Sequence, residues 1–328
     1  MKITVDNNDS HIIDRDSLWL ELAVAAIHDQ SIEINLNGEG PCAKSLGLYT
    51  LLDQACDRLD LPPDSVTIST CNLLETHDRY AVKIDPQMMY LESARRFAKQ
   101  NNQPPKKFDR DFRNVGNFIG HGNQHRLYLA SQLYSKHAGH VIQTYHFSRE
   151  QDYHRPFVGL DTMLGDSYTW QDVSIALDFL CHCPLTIDQI DQYPILNPTT
   201  LNITKIYDKF FAELVNLTYF SGKTFYIDEK IWRPMIMRTP FVVQGPQNFL
   251  QNLRRLGFQT FDRWWDEGYS EDPQPSQNAG ILSVVDTICR WSLADVEGVY
   301  KDMQPVLDHN FNRLMTIKPQ DFLSLCTV

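Results

Sequence analysis

Two periodicities alternate along this chain. Ser17 to His28 and Leu46 to Leu59 carry apolar side chains at helical spacing, while Ser31 to Asn37 alternates with period two and Val66 to Thr70 is a short β-branched run. Met88 to Lys99 returns to helical spacing and is followed by Gln103-Pro-Pro-Lys-Lys, a polar, proline-containing break that reads as a linker. Strands alternating with helices predict βαβ units around a parallel sheet, here a first domain over residues 1–110.

The same alternation resumes in a second domain over residues 111–328. Asn117-Phe-Ile-Gly is read as a strand, Gln124 to Lys136 as an amphipathic helix and Val141 to Tyr145 as a strand. Ser148 to Pro198, rich in proline around the apolar run Val173 to Leu180, is expected to be an irregular insertion near the ligand site. Lys205 to Leu214 reads as helix and Val215 to Tyr219 as strand. Phe225 to Ile227 reads as a short β run, Asp228 as the N-cap of the next helix, and Pro240 to Pro246 as an apolar strand and turn. Helices over Leu250 to Leu256, Gly280 to Trp291 and Leu293 to Leu314 complete the chain.

Composition narrows the class. With 328 residues, 42% hydrophobic and 22% charged, the chain has the make-up of a globular protein large enough for two cores. A net charge of −11 argues against a general nucleic-acid surface, although Lys106, Lys107, Arg110 and Arg113 could form a local basic groove. Seven cysteines, an odd number without paired CxxC motifs, fit reduced thiols. The charged N-terminus lacks a signal-peptide core, and no run approaches the ~20 apolar residues of a membrane span, so a cytoplasmic protein is expected.

Candidate chemistry concentrates at helix starts. Glu229 and Lys230 fall in the first turn after Asp228, where a carboxylate can accept from a ribose diol and an ammonium with free backbone N–H groups can hold phosphate oxygens. The alternative is an acidic first turn complementing the helix dipole beside a solvated lysine. Gly120-His-Gly-Asn-Gln-His-Arg joins a strand end to a helix start, the place where open α/β sheets bind ligands. Its Arg126 has the fork that suits a pyrophosphate, and His125 is a supplementary phosphate contact; capping a surface loop is the competing role. Tyr226, beside the Asp228 turn, is either a ligand contact or a core ring. Glu39, in a glycine-lined loop after the first-domain strand, is the candidate general base for deprotonating an acceptor hydroxyl, with Glu75 in reserve. Asp109-Arg-Asp111 has the form of a metal-binding Asp-x-Asp but lies in a polar linker and reads as a solvated charge cluster, and Cys181-His-Cys183 lacks four-ligand zinc spacing, so no metal is expected. Trp264-Trp265 is either an aromatic acceptor platform or core. The absence of G-x-G-x-x-G after the first strand argues against a Rossmann oxidoreductase.

Asp228-Glu-Lys-Ile-Trp, with its helix and the apolar strand ending in Gly-Pro, resembles the Thr-Glu-Lys-Leu-Phe type motif of family 10 fucosyltransferases. Gly257-Phe-Gln-Thr-Phe and Asp266-Glu-Gly-Tyr are similar to a related viral and bacterial group with the GT-B fold. The resemblance covers about the C-terminal half and rests on short motifs. It implies a GT-B-like α/β protein, two Rossmann-like domains with parallel sheets facing a central cleft, the last helix crossing back over the first domain. It implies an inverting, metal-independent glycosyltransferase using a nucleotide-diphosphate sugar such as GDP-fucose, with Arg126 on the donor phosphates and no further cofactor. The acceptor would be a glycan hydroxyl or, in a viral setting in host cytoplasm, a hydroxymethylated DNA base. A noncatalytic nucleotide- or glycan-binding module is the reading from another class.

Overall fold

A computed structural model describes residues 1–5, 13–36, 40–101, 106–120, 122–146, 163, 168–187, 206–220 and 222–327. Within them the protein is α/β, with two four-stranded, wholly parallel sheets. The chain divides into two compact units: Met1–Met88 with Thr218–Tyr226 and Ile317–Val328, and Met89–Leu217 with Ile227–Thr316.

In the first unit, strands β1 (Lys2–Val5), β2 (Ile32–Leu36), β3 (Val66–Thr70) and β4 (Ala81–Ile84) lie side by side in chain order. Helix α1 (Arg15–Ile27) links the first pair and α2 (Leu48–Leu59) the second. Successive right-handed crossovers in one direction place both helices on the same face. The core agrees: Leu18, Leu22 and Ala25 of α1 and Leu52 and Ala55 of α2 cluster with Ile32, Ile34 and Leu36 of β2. Glu33 and Asn35, on the other face of β2, are only half-buried, which is why this strand shows clean alternation in sequence. Strands β1 and β4 escape the sequence reading, being four residues each and, in β4, without a fully buried side chain.

The second unit opens with α3 (Met89–Gln100), which the sequence assigns to the first domain and which packs here against α6 (Glu229–Ile236). Strands β5 (Arg113–Ile119), β6 (Val141–Tyr145), β7 (Phe210–Asn216) and β8 (Phe241–Gln244) form a sheet of order β6-β5-β7-β8. Helix α4 (Gln124–His137) connects β5 to β6, and α5 (Trp170–Cys181) precedes β7. After β8 come α7 (Phe249–Arg255), α8 (Gln277–Cys289) and the long α9 (Leu293–Thr316); α10 (Pro319–Leu323) belongs to the first unit. Among the described residues no helix is long and apolar enough to cross a membrane.

Three sequence expectations are corrected. Val215 to Tyr219 is not a strand of its own: only Val215 and Asn216 are extended, as the last two residues of β7. Lys205 to Leu214 is not a helix: a single 3-10 turn, Tyr207–Lys209, leads into β7. All seven residues of β7 are buried, so the strand has no exposed side to mark a period of two. Phe225 to Ile227 is not a strand either. The Phe225 N–H donates to Asn72 Oδ1 at 2.9 Å and its carbonyl accepts from the Leu73 N–H at 2.9 Å, so its backbone is satisfied by a loop of the first unit. Most of the Ser148 to Pro198 insertion lies outside the described residues; Val173 to Leu180 falls within α5.

Candidate functional site

The order β6-β5-β7-β8 reverses direction between β5 and β7. Connections leaving neighbouring strands in opposite directions open a crevice at their carboxyl ends, the usual ligand position in such sheets. The loop after β5 is shaped for close approach. A Cβ on Gly122 would lie 1.9 Å from the Tyr145 hydroxyl oxygen, so only glycine fits there. Asn123 then caps α4 by accepting from the Arg126 N–H at 3.0 Å.

Arg126 is buried at this edge. Its Nε donates to the Leu217 carbonyl at 3.2 Å and a terminal nitrogen donates to the Asn216 carbonyl at 3.1 Å, so the guanidinium caps the end of β7. His125 Nδ1 lies 3.1 Å from the Tyr168 hydroxyl. Gln244, the last residue of β8, donates to the His125 carbonyl and to Asn278 Oδ1, both at 2.9 Å, and Asn278 donates to Tyr168 at 3.2 Å. Asn216 and Gln244 are register partners on adjacent parallel strands, so both side chains leave the same face. Neither amide featured in the sequence reading. Their visible signal is a polar residue ending an otherwise apolar strand, FFAELVN in one case and FVVQ in the other.

The start of α6 lies on the same carboxyl edge, since that helix leads into β8. Asp228 is its N-cap, accepting from the Lys230 N–H at 2.9 Å. The Lys230 ammonium lies 2.7 Å from Asp228 Oδ2 and 2.9 Å from Glu229 Oε1, with both carboxylates buried. Two acids share one base, giving the turn a formal charge of −1. Lys230 is therefore not a solvated helix lysine. Behind it, Arg233 pairs with Glu213 of β7, donates to the Tyr207 hydroxyl at 2.8 Å, and all three are buried.

The remaining candidates fall elsewhere. Glu39 lies outside the described residues. Glu75, buried in the first unit, accepts from the Ala43 N–H at 3.0 Å, the Tyr49 hydroxyl at 2.8 Å and Asn72 Nδ2 at 3.2 Å. Burial, followed by this carboxylate, pushes the Tyr49 phenol up. Tyr226 is also in the first unit, buried, with its hydroxyl donating to Gln87 Oε1 at 3.3 Å. Gly40 meets Tyr226 so closely that an added Cβ would lie 2.8 Å from the tyrosine Cβ. The structure thus places Arg126, His125, Glu229 and Lys230 on one edge of the second sheet and Glu75 and Tyr226 in the first unit.

The motifs that carry the resemblance have structural partners. Gly257 closes α7 with φ +85°, and its carbonyl accepts from His309 Nε2 at 2.8 Å. Gln259 exchanges two 2.8 Å bonds with Asn310 of α9. Glu267 accepts from the Phe261 N–H at 2.7 Å and from Arg254 at 2.5 Å; burial raises its carboxyl above the usual range despite these donors. Trp265 is buried against Phe261, while Trp264 donates to Asp302 at 2.9 Å. Asp109 pairs at the surface with Lys209 at 3.1 Å. The Cys183 thiol, pushed up to about 12 by burial, reaches the Phe179 carbonyl at the end of α5. Among the described residues, no three His, Cys, Asp or Glu side chains are grouped as metal ligands.

No protein-family model matches the sequence, and no curated protein matches it either.

Proposed function

We propose that this protein is a glycosyltransferase of GT-B type that moves a sugar from a nucleotide-diphosphate donor to an acceptor hydroxyl. The observation that carries the proposal is the strand-order reversal at β5 and β7, whose carboxyl edge holds both the Arg126 helix start and the acid-base turn of α6. Two parallel α/β sheets are compatible with the architecture that the sequence resemblance implies. In this proposal Glu229 accepts from the ribose hydroxyls, and Lys230 and the first-turn N–H groups of α6 hold the diphosphate. Arg126 orders the end of β7 beneath it and supplies positive charge. Neutralising the leaving diphosphate with cations and helix dipoles needs no metal in principle, and the displacement then inverts the anomeric carbon.

Glu39 is the proposed base, because the three donors on Glu75 commit that carboxylate to holding its own loop together. GDP-fucose is the donor that the resemblance suggests, and a glycan or a hydroxymethylated DNA base the acceptor. The commitment of Glu75 also favours a second reading, a noncatalytic nucleotide- or glycan-binding module. Calorimetry with GDP-, UDP- and dTDP-sugars, followed by assay of released nucleoside diphosphate across glycan and DNA acceptors, separates the two. We expect one donor to bind, Lys230→Ala to weaken it at least tenfold, and Glu39→Gln to retain binding while losing transfer. No nucleotide-sugar binding, or an unaffected Lys230→Ala, would overturn the donor site; binding without turnover would leave the module.

A further inference from the structure

We propose that the second unit has another ligand site, at the amino edge of its sheet, which takes a small organic phosphate carrying a flat apolar ring. A groove of about 480 Å³ lies between the segment Lys106 to Phe108 and one face of α9. Such a volume is within the range of small-molecule sites. The helix contributes Glu297, Tyr300, Lys301 and Gln304, spaced i, i+3, i+4 and i+7, so they share a face. Phe108 and Tyr300 meet edge to face at 5.2 Å and 89°, a rigid aromatic wall for a ring.

Charge selects the ligand. Three lysines and one glutamate line the groove, in a chain whose net charge is −11. Among the described residues, the side chains of Lys107 and Lys301 make no hydrogen bond or ion pair, and Lys301 does not pair with Glu297 one turn away, although that spacing favours it. Lys106 sits beneath, buried, its ammonium donating to the Phe210 carbonyl at 3.0 Å and lying 4.6 Å from the Phe210 ring centroid. A concave, partly apolar surface with positive charge focuses an anion. The site is independent of the proposed donor edge, because Phe210 starts β7 while Arg126 caps its end.

The test is calorimetric titration of the full chain with phenyl phosphate and with adenosine 5′-monophosphate, against inorganic phosphate and adenosine as controls. We expect each ring phosphate to bind more tightly than either control and to weaken with added salt. The exposed double variant K107E/K301E should lose at least tenfold in affinity, Glu297→Gln should gain, and Lys230→Ala should change nothing. Ring phosphates that bind no better than inorganic phosphate would overturn the proposal. So would binding insensitive to K107E/K301E in a variant that keeps its circular dichroism spectrum, and loss of binding in Lys230→Ala would place these ligands at the donor edge instead.

Discussion

The two sheets each have four parallel strands and differ in how the chain lays them down. In the first unit every strand is added on the same side of the last, whereas in the second the chain returns across β5 to place β7 and β8. Helices α1 and α2 of the first unit share one face and its sheet has no reversal point. Only the second sheet has the crevice that strand reversal creates. Buried acids follow the same division. Glu75 of the first unit is held by three neutral donors and fixes a loop, while Glu213 of the second is held by the Arg233 cation and a tyrosine beneath the proposed site. One unit uses a carboxylate as a bracket, the other as a counter-ion.

The largest effect should come from breaking the counter-ion. Glu213→Gln leaves the Arg233 guanidinium buried without its partner charge and should cost about 3–5 kcal/mol in denaturant unfolding. Glu75→Gln is expected to cost less, about 1–3 kcal/mol, because the neutral donors lose only the charge of their acceptor and one bond must reorganise around an amide NH₂. The comparison fails if Glu75→Gln proves the more costly, since its carboxylate would then be doing more than bridging neutral donors.

What the sequence disclosed follows the same physics. Val66–Thr70 and Val141–Tyr145 were legible end to end, and the Asp228 cap could be located because N-capping is local chemistry. Strand β7 was not legible, since burial on both faces erases periodicity, and the extended run at Phe225 took its partner from Asn72, 153 residues away. The site was half visible. Charged helix starts announce themselves by type, so Arg126, Glu229 and Lys230 stood out; the engagement of Arg126 with the Asn216 and Leu217 carbonyls depends on tertiary placement. The amides Asn216 and Gln244 become notable only once strand order puts them at the crevice.

The smallest predicted effect sharpens the contrast, because the second unit also buries a cation without a direct acid partner. Burial lowers the Lys106 ammonium from 10.5 to about 7, with Asp208 and then Glu213 opposing the shift. In the unfolded chain this lysine titrates near its ordinary value. Between those two values the unfolded state holds a proton that the folded state has released, so stability rises with pH across that window. Below about pH 7 both states are protonated and the full cost of burying the charge is present. The gain should be about 1 kcal/mol between pH 7 and pH 8. Lys106→Met removes this titration, so its unfolding free energy relative to wild type should be most favourable at and below pH 7 and should lose that advantage by about the same amount at pH 8. A difference that stays constant from pH 6 to pH 9 would mean that Lys106 keeps its proton in the fold, and that the second unit tolerates a buried ammonium on carbonyl and ring contacts alone.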